Sequence, residues 1–330
     1  MLEKTVVKLL GCVFVPVAIV SAAPVFAQSA DWPSRNLRLV VPFPPGGSTD
    51  VIARALAVRM EKRLGKSVVV ENVTGGATVP AVQNVLRSDA DGHTLFISSD
   101  VTFSVNPHLL PSISYAPLKD FTPVTILGAT ANWMIVRSDR PEKTFGDLAK
   151  TIAANPGKVT IGVNAIGGAA HLGLEAWKKA EHLDFTVVPY RGGPAAVTDL
   201  LGGQVTATVD VPGSSVQYAR AGKVRPLAVF QERRSAALKD MPTARESNKT
   251  APEISTYLAI VVKAGTSPDR VQKLNKIMKE SAADAEFQTL MTTNMLYDPI
   301  VNSPAEASSF LKSELARYGK LVSQAGVKLE

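Results

Sequence analysis

Seven short runs rich in valine, isoleucine and threonine recur along this chain, and helical patterns fill the spaces between them. They are LRLVV (37–41), SVVV (67–70), TLFIS (94–98), VTIGV (159–163), FTVVPY (185–190), VTATVD (205–210) and VRPLAVF (224–230). Runs this short and apolar suit strands covered on both faces. Strands alternating with helices define an α/β fold with parallel-rich sheets. Ile52, Leu56, Met60 and Leu64 share one face of the first helical segment. Thr144-Phe145-Gly146-Asp147 has the form of a capping box, which predicts a helix that ends before Asn155-Pro156-Gly157. Two late helices are each opened by Ser-Pro, at Ser267-Pro268 and Ser303-Pro304.

The N-terminus reads as a secretory signal over residues 1–27. Lys4 and Lys8 precede an apolar run over 9–20, and Val25-Phe26-Ala27 places small residues where a signal peptidase requires them. Its removal also removes Cys12, the only cysteine, so the mature chain has no disulfide and no thiolate metal site. The formal net charge of +7 is scattered and not interleaved with aromatic residues, which argues against nucleic-acid binding. The four histidines (93, 108, 171 and 182) lack metal-ligand spacing.

About 300 mature residues predict two domains, yet no flexible linker separates two halves. Two lobes sharing crossing strands meet both conditions, and residues 121–137 and 254–265 are the expected crossings. Residues 28–127 with 259–330 then form lobe 1, and 128–258 form lobe 2. The cleft between them is the expected ligand site.

One loop design occurs twice. LVVPFPPGGSTDVIARALA, shifted by 121 residues, lies over TIGVNAIGGAAHLGLEAWK, with Gly46-Gly47 above Gly167-Gly168. In each, a strand ends, paired glycines follow, and an amphipathic helix begins. Such a junction aims the free N–H groups of the first helical turn, and the positive end of the helix dipole, at whatever the loop faces. Glycine admits close approach to the backbone, so the junction is an anion site without a cation. Neither loop carries Arg or Lys. The chain has no P-loop, no G-x-G-x-x-G spacing here and no G-x-S-x-G elbow.

The order of further motifs is similar to that of one family. WPSRNLRLVVPFPPGGSTDVIAR, VVVENVTGG, DGHTL, NPHLLP, PLKDFTPVTIL, NPGKVTIG, VPYRGGPAAVTDLLGGQV, AGKVRPLAV, MPTARE and AGTSPDRVQKLN span about residues 32–280. Together they resemble the periplasmic substrate-binding proteins of tripartite tricarboxylate transporters. The resemblance implies a two-lobed periplasmic binding protein fold, type II-like, with two strands crossing between lobes. It also implies a monomer in the periplasm, without cofactor or catalysis, that captures a small carboxylate and delivers it to a two-subunit membrane permease. The matching ligand positions are Pro44, Gly46, Gly47, Ser48, Thr49 and Asp50 in the first loop. The second loop supplies Asn164, Ala165, Gly167, Gly168 and His171. Ser98 and Ser99 end the third strand, and Asp210 ends VTATVD. Two rival readings are a receptor that presents its ligand to a membrane sensor, and a serine hydrolase using Ser48 or Ser98. The hydrolase requires a histidine within reach of its serine.

Overall fold

The computed structural model describes residues 1–2, 32–234 and 238–327. The signal segment, with its cleavage site and Cys12, lies outside the described residues. In chain order the strands are β1 (Leu37–Val41), β2 (Val68–Asn72), β3 (Thr94–Ser99), β4 (Phe121–Ala131), β5 (Trp133–Arg137) and β6 (Thr160–Val163). They continue with β7 (Thr186–Pro189), β8 (Ala207–Asp210), β9 (Val224–Val229), β10 (Ser255–Lys263) and β11 (Asp298–Pro299). All seven expected runs are strands, with ends shifted by a residue or two.

The strands build two sheets, ordered β11-β4-β10-β3-β1-β2 and β7-β6-β8-β5-β9. Both are mixed. β1 is parallel to β2 and β3, and β6 is parallel to β7 and β8. β10 runs antiparallel to β3 and β4, and β5 antiparallel to β8 and β9. The physical reason is the crossover. A strand that leaves one sheet for the other enters it without a right-handed βαβ turn and so runs against its neighbours.

The first crossing is one residue long. β4 ends at Ala131, Asn132 belongs to neither sheet, and β5 starts at Trp133. The return lies beside it and precedes β10. The Asn132 N–H donates to the Ile254 carbonyl (2.8 Å), Phe230 N–H to the Asn132 carbonyl (2.8 Å), and Ile254 N–H to the Phe230 carbonyl (2.9 Å). Residues 128–131 and 255–258, expected in lobe 2, therefore pair with each other in the first sheet. Their apolar runs continue the first sheet's strands, and the changeover falls at the break in that pattern.

The helices cover both faces of each sheet. Ser48–Leu64 buries Ile52, Leu56 and Met60 against β1 and its neighbours, as its spacing predicts. Phe145–Ala154 carries the expected capping box, with Thr144 Oγ1 accepting from the Asp147 N–H. Pro304–Ala325 packs on both lobes. Ala307 and Leu311 join a core with Phe96, Ala259 and Val261, whereas Tyr318 and Val322 join one with Trp177, Ile161 and Val209. Among the described residues, no helix is long and apolar enough to cross a membrane.

Candidate ligand-binding cleft

The carboxyl ends of β1, β3, β6, β7 and β8 all face the gap between the sheets, and the loops that follow them enclose a cavity of about 250 Å³. Ligand sites of open α/β sheets lie at such strand ends. Three helices of nine residues or more begin there: Ser48–Leu64, Ala169–Ala180 and Gly193–Leu201. No side chain caps any of the three. Phe145–Ala154 and Pro304–Ala325, by contrast, carry complete capping boxes. An uncapped first turn leaves its N–H groups and its share of the dipole, about half a positive charge, for another acceptor.

The two loops matched in sequence have one backbone. Gly46 and Gly167 are left-handed, at φ 80° and 69°. Gly47 and Gly168 are the extended N-caps, at φ −73°, ψ 163° and φ −67°, ψ 171°. Gly47 N–H reaches the Pro44 carbonyl and Gly168 N–H the Ala165 carbonyl, each at 3.4 Å. The equivalence extends to the support. Gly46 N–H donates to Asp50 Oδ2 (2.9 Å), and Gly167 N–H donates to His171 Nδ1 (2.8 Å), four residues on in both cases.

Asp50 and His171 therefore brace the loops from behind and do not line the cavity. Burial pushes the Asp50 carboxyl up, but bonds from Arg54, the Gly46 N–H and Asn72 outweigh it and hold it below the ordinary carboxylate value. Burial pushes the His171 imidazole down, against a weak pull from Glu175, which keeps Nδ1 free to accept. Asp50→Ala removes the Gly46 N–H's acceptor and one acceptor each from Arg54 and the Asn72 amide, so it should cost about 2 kcal/mol of stability in urea unfolding. A loss below about 0.5 kcal/mol, the scatter of an ordinary surface substitution, would show that the brace is idle.

Of the other candidates, Pro44, Gly47, Ser48, Thr49, Ser99, Asn164, Ala165, Gly168 and Asp210 line the cavity. Gly46 and Gly167 shape their turns without lining it. Ser98 points away, because successive residues of β3 face opposite sides, and its hydroxyl meets Thr102 Oγ1 at 2.6 Å. Ser48 Oγ is buried with no partner and caps nothing. Neither of these two serines has a histidine in hydrogen-bond contact among the described residues, which the hydrolase reading requires of its nucleophile.

Sequence reasoning missed a third junction. After β7, Arg191-Gly192-Gly193-Pro194 opens the helix Gly193–Leu201 and supplies another wall, with Arg191 exposed at its rim. The signal was available in the sequence: a strand followed by Gly-Gly and a helix. Gly192 is left-handed, at φ 106°. Gly193 packs so tightly on Asp210 that a Cβ there would lie 1.8 Å from Oδ2 and 2.3 Å from Ser214 Oγ. Also missed were Asp100, Asn132, Thr256 and Tyr297, which come from the hinge and from segments distant in sequence.

Two carboxyl groups lie in the walls. Burial raises Asp100 to about 6, opposed by the Thr256 hydroxyl, which donates to it, and by the nearby Tyr318 hydroxyl. Burial raises Asp210 to about 7. Ser214, the Val211 N–H and Asn164 ease its charge, yet none reaches either oxygen with hydrogen-bond geometry. The lobes also touch across the mouth. A Cβ on Gly213 of lobe 2 would lie 2.7 Å from Ser48 Oγ of lobe 1, and the Arg220 guanidinium donates to the Thr293 carbonyl (2.7 Å).

Two sheets joined by paired crossings, with helix N-termini converging on a cleft between them, define a two-lobed binding protein. The sequence model of the tripartite tricarboxylate transporter family receptor matches residues 52–327, and the chain belongs to that family. It is 32% identical to Protein BugT of Bordetella pertussis over 310 residues, 94% of each chain. It superposes on the Rhodopseudomonas palustris protein Rpa4515, solved with adipate, with a TM-score of 0.85, 30% identity and coverage of 90% of this chain and 99% of that one. MatC from the same organism, solved with bound malate, gives 0.80 at 27% identity over 88% of this chain and all of the other.

Proposed function

We propose that this protein is a periplasmic receptor that captures a small organic carboxylate and hands it to a two-subunit permease of the tripartite tricarboxylate type. One observation carries the reading: three helix N-termini, all uncapped, converge on one cavity. A carboxylate there accepts backbone N–H bonds from more than one wall and lies at the positive ends of the dipoles. Ser48, Thr49 and Ser99 supply hydroxyl donors, and Arg191 at the rim adds long-range attraction. The adipate and malate of the two solved relatives are both small carboxylates, which supports the same ligand class.

The fold supplies the movement. Each lobe has its own sheet, and the chain passes between them beside Asn132 and along the helix Pro304–Ala325. A ligand that touches both lobes binds the closed arrangement more tightly than the open one and shifts the population towards it. The closed form is then what a permease distinguishes from the empty receptor, and a monomer suffices for this.

The test is thermal melting of the refolded, ligand-free protein against mono-, di- and tricarboxylates, amino acids and aromatic acids. Ligand at about 100 times its Kd adds about 2.7 kcal/mol, which raises Tm by a few degrees in a chain of this size. A response confined to acids supports the reading. Responses only to neutral or cationic solutes would refute it.

A further inference from the structure

Every other buried acid described here has a partner. Asp50 accepts from Arg54, Asn72 and Gly46, Glu142 is paired with Arg140 at 2.7 Å, and Asp100 accepts from Thr256. Asp210, fully buried at the end of β8, has no hydrogen-bond partner for either oxygen. A buried carboxyl left so is costly, and a native site keeps one where something outside the chain completes it.

Polar groups around it lessen the cost of its charge, although burial still pushes the carboxyl up. The first turn of the nine-residue helix Gly193–Leu201 lies against it, with Gly193 at a spacing no side chain would allow. The Val211 N–H, the Ser214 hydroxyl and the Asn164 amide are the polar groups beside it, and the Tyr297 phenol senses its charge. The cation among the cavity's lining residues is Arg191, which is exposed at the rim. A second unpartnered acceptor, Asn132 Oδ1, also faces this cavity. The walls thus offer N–H and hydroxyl donors for an acid group and, separately, acceptors that no protein atom fills.

Resting on the carboxylate reading above, we propose that the ligand is an acid that also carries a hydrogen-bond donor, a hydroxyl or an ammonium, and that Asp210 accepts from it. A plain acid would bring only negative charge to a wall that already holds an unpaired carboxyl. A donor beside the acid group satisfies both halves of the cavity at once. Sites that commit a buried polar group to one substrate donor reject the analogue that lacks it.

Calorimetry on the ligand-free protein tests this with matched probes: propionate, lactate and alanine; succinate, malate and aspartate; glutarate, 2-hydroxyglutarate and glutamate. In at least one series, the hydroxy or amino acid should bind roughly 10- to 100-fold more tightly than the plain acid, the worth of a hydrogen bond to a charged group. Asp210→Asn should remove most of that difference. Equal affinities within every series that binds would overturn the inference and leave the carboxylate reading standing. So would plain acids that bind as tightly while taking up a proton, read from buffers of different ionisation heat. Failure of all nine probes and of larger acids would remove both. The comparison of acids on the wild-type chain needs no variant, so a poorly folding Asp210→Asn protein leaves it decisive.

Discussion

Gly193→Ala is expected to lose measurable ligand binding and to lower stability by about 2 kcal/mol or more, the range of forced overpacking in a tight interior. The added methyl carbon would stand 1.8 Å from Asp210 Oδ2 and 2.3 Å from Ser214 Oγ. Neither neighbour can give way easily. Asp210 is fully buried on a central strand of the second sheet, and Ser214 belongs to the short turn that follows it. The helix must therefore back away, and the third wall of the cleft moves with it. Gly202→Ala, at the other end of the same helix and outside the cavity lining, provides the control. Its Cβ would meet nothing nearer than the Thr198 carbonyl, at 3.5 Å, and its backbone is helical. Urea unfolding and calorimetry on the two variants decide the matter. A Gly193→Ala protein as stable and as tight-binding as the parent would mean that the helix start is not held against Asp210.

Acidification should stabilise the ligand-free protein between neutral pH and about pH 5, the reverse of the usual behaviour of an acid-rich site. Asp210 rises from 3.8 to about 7 and Asp100 from 3.8 to about 6, both through burial. Between the unfolded and folded values the native state holds protons that the unfolded chain has released. Stability therefore falls as pH rises through that window and is fully present below it. For Asp210 alone, at about 1.4 kcal/mol per pH unit, the span is worth about 4 kcal/mol. Below about pH 4 the trend reverses, because Asp50, Glu71 and Glu142 are held below their ordinary values and lose their bonds on protonation. Melting curves from pH 4.5 to 7.5 should show Tm falling with pH, and Asp210→Asn should flatten most of the slope. A Tm that rises through neutrality, or a slope untouched in the variant, would place the effect elsewhere.

The seven strands were legible because each is a short, mostly apolar run with Val, Ile or Thr, set between segments of helical pattern. Both matched loops were legible for the same local reason, since a strand, two glycines and a helix are consecutive in the chain. What a loop residue faces was not. Asp50 and His171 sit in the same segments as the lining residues but turn back to hold Gly46 and Gly167, and only the folded turn shows it. Ser98 and Ser99 differ by one step along β3, and the choice between them depends on which face of the strand meets the cleft. Asp100, Asn132, Thr256 and Tyr297 arrive from segments up to about two hundred residues apart, so no spacing rule connects them.

The strand order has a consequence for how the chain comes together as it emerges. The second sheet uses β5 to β9, a continuous stretch from Trp133 to Val229, and can complete itself as soon as that stretch is available. The first sheet cannot. β3 ends at Ser99, and the neighbour that must cover its open edge is β10, which begins at Ser255. Over that whole interval the early half of the sheet carries an unpaired, apolar strand edge, the condition under which chains stick to one another. Closing so long a loop is also slow, since contacts distant in sequence form late. The lobe that begins the chain is thus the last to be finished, and refolding from denaturant should be limited by the docking of β10 between β3 and β4.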